Sequence, residues 1–456
     1  MKRLLFILVL VIFYSCDQTV EKTPLTIISG SVQNNNSETA KVRGFDVDIE
    51  IPITNSGIFS DTLDIEADGY YDLYVGRERA GIYLEKGKSL SVTLDFNEFD
   101  ETLVYTGDLA PENNYLAAKY LMSEKEKPFK DVYSLEEVEF IEEVKSIHLS
   151  YIDLLNNSKD ISKVFLAQEA HELTYDYITN LENYPKYHKY FTGKEEIELS
   201  DNFYELVRNN NFSDSLAFKN SKGYRSMIDA HFGRLADDHF NATEGSSPTL
   251  SYLQILNDNL PDGVIKDQLI YTKLRYGLTP DSHLDDVFEL FKQSNTNQEN
   301  LEKITERYAL LKPLQAGNTS PTFEYENHKG GTSKLSDFEG KFVYIDVWAT
   351  WCGPCIREIP SLKALEKDYH DKNIAFLSIS IDEEKDYEKW RNMVVEKELT
   401  GVQLMADNNW SSKFVADYGI NGIPRFILLD TEGKIVSADA MRPSDPGLRT
   451  LLDTLL

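Results

Sequence analysis

The apolar residues of this 456-residue chain change their period twice, and no other property constrains the fold as much. From about 24 to 107 they alternate in short runs broken by turn residues, from about 111 to 312 they recur at helical spacing, and beyond 316 the two patterns interleave. Strand side chains alternate between two faces whereas helical ones repeat about every 3.6 residues, so one layer cannot bury both patterns. The chain is therefore expected to be multidomain, with an N-terminal β-sandwich over 24–107, a central all-α region over 111–312 and a C-terminal α/β domain over 316–456.

In the first region Thr26–Ile28, Val47–Ile51, Gly57–Phe59, Tyr71–Val75, Ile82–Leu84 and Leu90–Leu94 read as strands, with Glu85-Lys86-Gly87-Lys88 as a hairpin turn between the last two. In the second, Ser134 and Glu137 fit a capping box ahead of a stripe of Leu135, Val138, Ile141, Val144, Ile147, Tyr151 and Leu154. Further helices are expected near 161–182, 199–208, 224–238, 249–257, 262–276, 284–293 and 297–311. His231 shares a helical face with Met227, Ile228 and Leu235, which makes it a packing residue rather than a metal ligand. Breakers from Pro313 to Asn318 mark the next boundary. Beyond it, strands are expected at 342–348, 374–381, 426–430 and 434–438, and helices at 353–370, 383–397, 410–418 and 444–456, with Asp430–Gly433 turning the last hairpin.

Lys2 and Arg3 precede an unbroken apolar run from Leu4 to Phe13, which is too short to span a bilayer. The run leads into Ser15-Cys16, so residues 1–16 resemble a bacterial lipoprotein signal peptide and Cys16 the lipidated N-terminus of the mature chain. Asp17–Thr23 then reads as a polar tether. With 47 basic and 76 acidic residues the net charge is −29, which argues against binding nucleic acid or an anionic membrane surface through charge.

Besides Cys16, the chain spends its cysteines on Trp351-Cys352-Gly353-Pro354-Cys355. Thiols three positions apart at a helix start close a disulfide with little backbone movement, and the helix N-terminus lowers the pKa of the first. A zinc site would need about two more Cys or His ligands. No cysteine remains for it, and none of the eight histidines makes a zinc-finger pair near the motif. A purely structural disulfide closing so short a loop would add little stability. Redox chemistry is the reading left.

The run Lys341-Phe-Val-Tyr-Ile-Asp-Val-Trp-Ala-Thr-Trp-Cys-Gly-Pro-Cys355, with Gly422-Ile423-Pro424 about 70 residues on, resembles the thioredoxin fold. Together with Leu335–Lys341 before it and Arg357-Glu358-Ile359-Pro360 after it, the run is similar to the TlpA/ResA-like thiol-disulfide oxidoreductases, and the β-then-helical arrangement upstream resembles Bacteroidetes-type lipoproteins of that group. The resemblance implies that an exposed Cys352 attacks, that a more buried Cys355 resolves the mixed disulfide, and that Asp346 handles the Cys355 proton. It implies a substrate-facing rim of Trp351, Gly353, Pro354, Ile423 and a cis Pro424, with Trp348 and Trp351 either flanking the dithiol and limiting access or serving only as packing. It also implies no metal and no cofactor beyond the Cys352–Cys355 disulfide. The lysine that thioredoxins often place beside the buried acid is missing from Ser378–Asp382.

The implied activity is reduction of protein disulfides in the cell envelope, facing the periplasm, by a lipid-anchored enzyme fed by a membrane electron donor. Which membrane holds it stays open. Cytochrome c maturation is a typical family task. Gly-Pro between the cysteines usually accompanies reducing enzymes, yet a disulfide-forming oxidant or isomerase stays open. So does a surface binding lipoprotein whose redox domain is accessory.

Overall fold

The computed structural model describes residues 24–456 apart from 46 and 66. The leader expected over 1–16, its Cys16 and the tether lie outside the described residues. The described residues form two compact units, one running to Asn210 and including Leu216–Met227, the other made of Asn211–Ser215 and Ile228–Leu456. The helical stretch 111–312 is thus divided between two units, because helical periodicity marks an apolar face without naming what will cover it.

The first unit opens with eight strands: β1 (Thr26–Gln33), β2 (Thr39–Arg43), β3 (Asp48–Pro52), β4 (Ile58–Leu63), β5 (Gly69–Val75), β6 (Glu78–Leu84), β7 (Ser89–Asp95) and β8 (Val104–Thr106). They make two sheets, ordered β4-β1-β7-β8 and β3-β2-β5-β6. Ile28, Leu90 and Val92 of one sheet and Val42, Leu73 and Ile82 of the other belong to the same buried core. Since β6 and β7 lie in different sheets, Glu85–Lys88 is not a hairpin turn; it carries the chain across, tied by Thr26 Oγ1 donating to the Glu85 carbonyl at 2.8 Å and Ile27 N to the Lys88 carbonyl at 3.0 Å. β1 pairs with the distant β7 in parallel, which local patterning does not encode.

Two helical expectations are corrected in the same unit. Ser134 is no N-cap: it ends the short helix Phe129–Tyr133, donating to the Lys130 carbonyl at 2.7 Å, while the Glu137 carboxylate accepts from Ser200 N at 2.9 Å. The helix Glu137–Asn157 then buries Phe140, Val144 and Leu155 and leaves Val138 64% exposed. The next helix, Lys163–Thr192, runs through Pro185 and past its expected end to Gly193, whose φ of 72° suits a glycine C-cap. The stretch 199–208 is helical only over Glu205–Arg208.

In the second unit the helices Pro248–Asn259, Val264–Gly277, Leu284–Ser294 and Gln298–Leu311 precede a seven-stranded sheet. His231 stacks on Phe212 with ring centroids 4.0 Å apart. The sheet comprises β9 (Glu324–Asn327), β10 (Thr332–Lys334), β11 (Phe342–Trp348), β12 (Ile374–Ser380), β13 (Val402–Met405), β14 (Arg425–Leu429) and β15 (Ile435–Ser437), ordered β10-β9-β13-β12-β11-β14-β15. β11 pairs in parallel with β12, through the intervening helix Gly353–Asp368, and antiparallel with β14. Its near-continuous apolar run is what burial on both faces requires. β9, β10 and β13 lack such a run and were not anticipated. Other helices are Tyr387–Glu396, Lys413–Asp417 and Pro446–Leu455. No helix among the described residues is long and apolar enough to cross a membrane.

Gly401 enters β13 with φ +66°, and a Cβ there would stand 2.7 Å from the Phe376 carbonyl oxygen and 2.8 Å from Glu366 Oε1. Left-handed strain and that overlap predict that Gly401→Ala destabilises the unit by about 1–3 kcal/mol, measured by urea unfolding at neutral pH.

Candidate active site at the Cys352–Cys355 disulfide

β11 ends at Trp348, and the chain turns through Ala349-Thr350-Trp351 into the helix Gly353–Asp368. Pro354 in the first turn suits a helix start, where its missing N–H costs nothing. Cys352 is the N-cap residue, and its Sγ accepts from Cys355 N at 3.1 Å. The two cysteines are joined as a disulfide with Cα atoms 5.3 Å apart. Both are buried at 4% exposure, so the exposed Cys352 expected from the sequence is not found in this oxidised state. Trp351 holds the surface position instead, at 50% exposure.

The turn is pinned from behind by Asp382. Its buried carboxylate accepts from Thr350 N at 2.9 and 3.1 Å, from Thr350 Oγ1 at 2.7 Å and from Ser380 Oγ at 2.7 Å. Cys352 N in turn donates to the Ala349 carbonyl at 3.0 Å. Neither Asp382 nor Thr350 stood out in the sequence; an acid just past an apolar strand reads equally well as the start of a loop.

Of the two tryptophans expected beside the dithiol, Trp348 is buried at the end of β11 and Trp351 is exposed. The ring that meets Trp351 belongs to Trp410, with centroids 6.3 Å apart. Trp410 follows Asn408 and Asn409, both at positive φ (53° and 46°), a backbone path that side-chain patterning does not reveal. Ile423–Pro424 is a cis peptide. Arg425 lies opposite Val347 in the β11–β14 register, which sets Pro424 at the end of β11 from which the cysteine turn departs. Gly353 is exposed, as is Pro354.

Asp346 is the one charged residue of β11, opposite Ser378 on β12 and Phe426 on β14, and is 8% exposed. Burial, then the negative charges of Glu366 and Glu358, push its carboxyl up to about 8, against a weaker opposing hydrogen bond from Ser378. Both glutamates lie on the helix that starts at Cys352. Glu358 accepts from Ser444 N at 3.1 Å and Ser444 Oγ at 2.9 Å. Glu366 accepts from Thr400 Oγ1, and burial pushes it up to about 7.

Residues 315–452 match the Redoxin family model. ResA, a thiol-disulfide oxidoreductase of Bacillus thuringiensis, is 29% identical over 129 residues, which are 28% of this chain and 72% of that protein. The thioredoxin-like protein YneN of Bacillus subtilis is 30% identical over 122 residues, 27% of this chain and 69% of that protein. The chain belongs to the TlpA/ResA-like thiol-disulfide oxidoreductases of the thioredoxin family. Among solved structures, a thiol-disulfide oxidoreductase from Bacteroides fragilis is 31% identical, covering 30% of this chain and all of that one, with a TM-score of 0.28. The matched region of this thioredoxin-like oxidoreductase is its C-terminal α/β domain.

Within this family fold the acid at Asp346 has an unusual setting. Where thioredoxins often have a lysine, the register supplies Ser378, and the nearby charges are carboxylates. A buried acid with a raised pKa binds more protons folded than unfolded between about pH 4 and 8, so its contribution is present at low pH and is lost as pH rises through that window. Asp346→Asn removes the loss. The variant should gain at least ~1 kcal/mol over wild type at pH 9 compared with pH 5, read from denaturant unfolding of the oxidised protein.

Proposed function

We propose that the chain is an extracytoplasmic reductant of protein disulfides, acting by dithiol–disulfide exchange through Cys352 and Cys355. The observation that carries this reading is the Cys352–Cys355 disulfide at a helix N-cap, where the dipole and the free N–H groups of the first turn favour a thiolate at Cys352. In the reduced enzyme the Cys352 thiolate attacks one sulfur of the substrate disulfide. A mixed disulfide forms, and the first substrate thiolate leaves and takes up a proton. Cys355 then gives up its proton, and its thiolate attacks Cys352 Sγ. The Cys352–Cys355 bond forms, and the second substrate thiolate departs and is protonated. Two electrons have passed from the enzyme to the substrate.

Asp346 takes the Cys355 proton in this half-reaction, through water, and returns it when a donor reduces the disulfide again. A carboxyl titrating near 8 suits both directions at neutral pH. The exposed Trp351, with Gly353, Pro354, Ile423 and Pro424, forms the rim that meets the substrate backbone. A donor in the membrane supplies the electrons, and lipidation at Cys16 holds the enzyme at the membrane. The basic and apolar residues before Cys16 support that anchor.

Cys355→Ser is expected to accumulate mixed disulfides with cellular proteins, seen as thiol-sensitive adducts on non-reducing gels, whereas Cys352→Ser accumulates none. Adducts on Cys352→Ser instead would reverse the assigned roles. A reduction potential below about −200 mV fits a reductant, and one near −120 mV makes the chain an oxidant. Asp346→Asn should flatten the rate of disulfide reduction between about pH 7 and 9; an unchanged profile removes Asp346 from the proton path.

A further inference from the structure

The first compact unit holds a cavity of about 370 Å³ beside the outer face of the β3-β2-β5-β6 sheet, a size common for small-molecule sites. We propose that it binds a small organic cation with an aromatic or apolar body. The site is independent of the dithiol chemistry.

The cavity exists because the sheet is only partly covered. The helix Lys163–Thr192 closes over one end, where Tyr70 OH donates to Glu169 and Tyr83 OH to Gln168, each at 2.6 Å. Further along the same face, Gly81 of β6 has no atom within 4 Å of where its Cβ would stand. A side chain there would fill the floor. The rings of Tyr70, Tyr71, Tyr120 and Tyr151 contribute to the walls.

The charges sort into satisfied and unsatisfied. Glu169, fully buried, accepts from Tyr70 OH, from Tyr115 OH at 3.1 Å and from Lys119 Nζ at 2.5 Å. Lys222 Nζ and Arg79 Nε are drawn to Asp72, at 3.2 and 3.8 Å. Glu172, one turn past Glu169, accepts from Gly223 N at 2.7 Å; a Cβ on Gly223 would lie 2.9 Å from Glu172 Oε2, so this backbone approach needs glycine. Asp176, one turn further, lines the same cavity, and its carboxylate makes no hydrogen bond or ion pair among the described residues. Burial raises Glu172 to about 7; Asp176, exposed at the cavity, is also raised by desolvation, against the opposing charges of Lys119 and Lys222.

Every cation in the wall thus has an ion-paired carboxylate, whereas Glu172 and Asp176 have no ion pair among the described residues; Lys119 and Lys222, whose charges reach Asp176, are held by Glu169 and Asp72. A positively charged guest supplies the ion pair these two acids lack, and the tyrosine faces attract it as well. A bare metal ion fits poorly, because no group of three or more His, Cys, Asp or Glu among the described residues could hold one.

Calorimetric titration of the full chain with phenethylamine, 3-phenylpropionate and 2-phenylethanol separates cation, anion and neutral guests of one shape. Phenethylamine is expected to saturate one site with Kd below about 1 mM, at least ~10-fold tighter than the other two. Asp176→Asn should weaken it at least ~10-fold, and Gly81→Leu should do so by filling the floor. No saturation by phenethylamine up to ~10 mM, equal or tighter binding of the anion or the alcohol, or an Asp176→Asn protein that melts and binds like wild type would each overturn the proposal. Should Asp176→Asn fail to fold, the Gly81→Leu titration decides, and unchanged affinity there overturns it too.

Discussion

Burial of β11 on both faces, between β12 and β14, is the constraint on which the site depends. A strand locked by two ladders has one register, and every element of the dithiol site is placed by counting from it. Asp346 is fixed opposite Ser378, and Pro424 comes to the strand end where the cysteine turn departs. The turn is held by Asp382, which lies just past β12, so the strand pairing that sets the register also brings the anchor within reach of Thr350. Rigid support of this kind keeps reacting groups in place with little reorganisation.

The helix Gly353–Asp368 acts on the site in two opposed ways. Its N-terminus presents free N–H groups and a positive dipole end to Cys352, which favours negative charge there. Further along, where burial already raises the pKa of Asp346, its Glu366 and Glu358 side chains raise it further, which favours a bound proton. One element thereby pushes a nucleophile toward its anion and a buried acid toward its neutral form.

Much of this was legible in the sequence where the signal is local. Phe342–Trp348 announced a strand, Asp430–Gly433 a hairpin, and Cys352–Cys355 a redox pair, since each depends on residues within a few positions of one another. The misread elements depend on distant partners. Glu85–Lys88 has the composition of a hairpin turn, but its flanking strands pair with β5 and β1 in different sheets. Ser134 and Glu137 have capping-box spacing, but a short preceding helix claims Ser134 and the distant Ser200 claims Glu137. Trp410, reached through two residues at positive φ, came to Trp351 with no trace in periodicity.

By itself the sequence determined the order of secondary-structure types, the strand-to-helix junction that carries the thiols, and the acid six residues before Cys352, because propensity, burial pattern and spacing act over short stretches of chain. Only the tertiary structure decided how the helices divide between two units, that Glu358 and Glu366 stand near Asp346 in place of a lysine, that Asp382 anchors the active-site turn, and that Asp176 lines a cavity without an ion pair among the described residues. Those are contacts between residues tens of positions apart, and their energies depend on distance, burial and neighbouring charge, which exist only once the chain has packed.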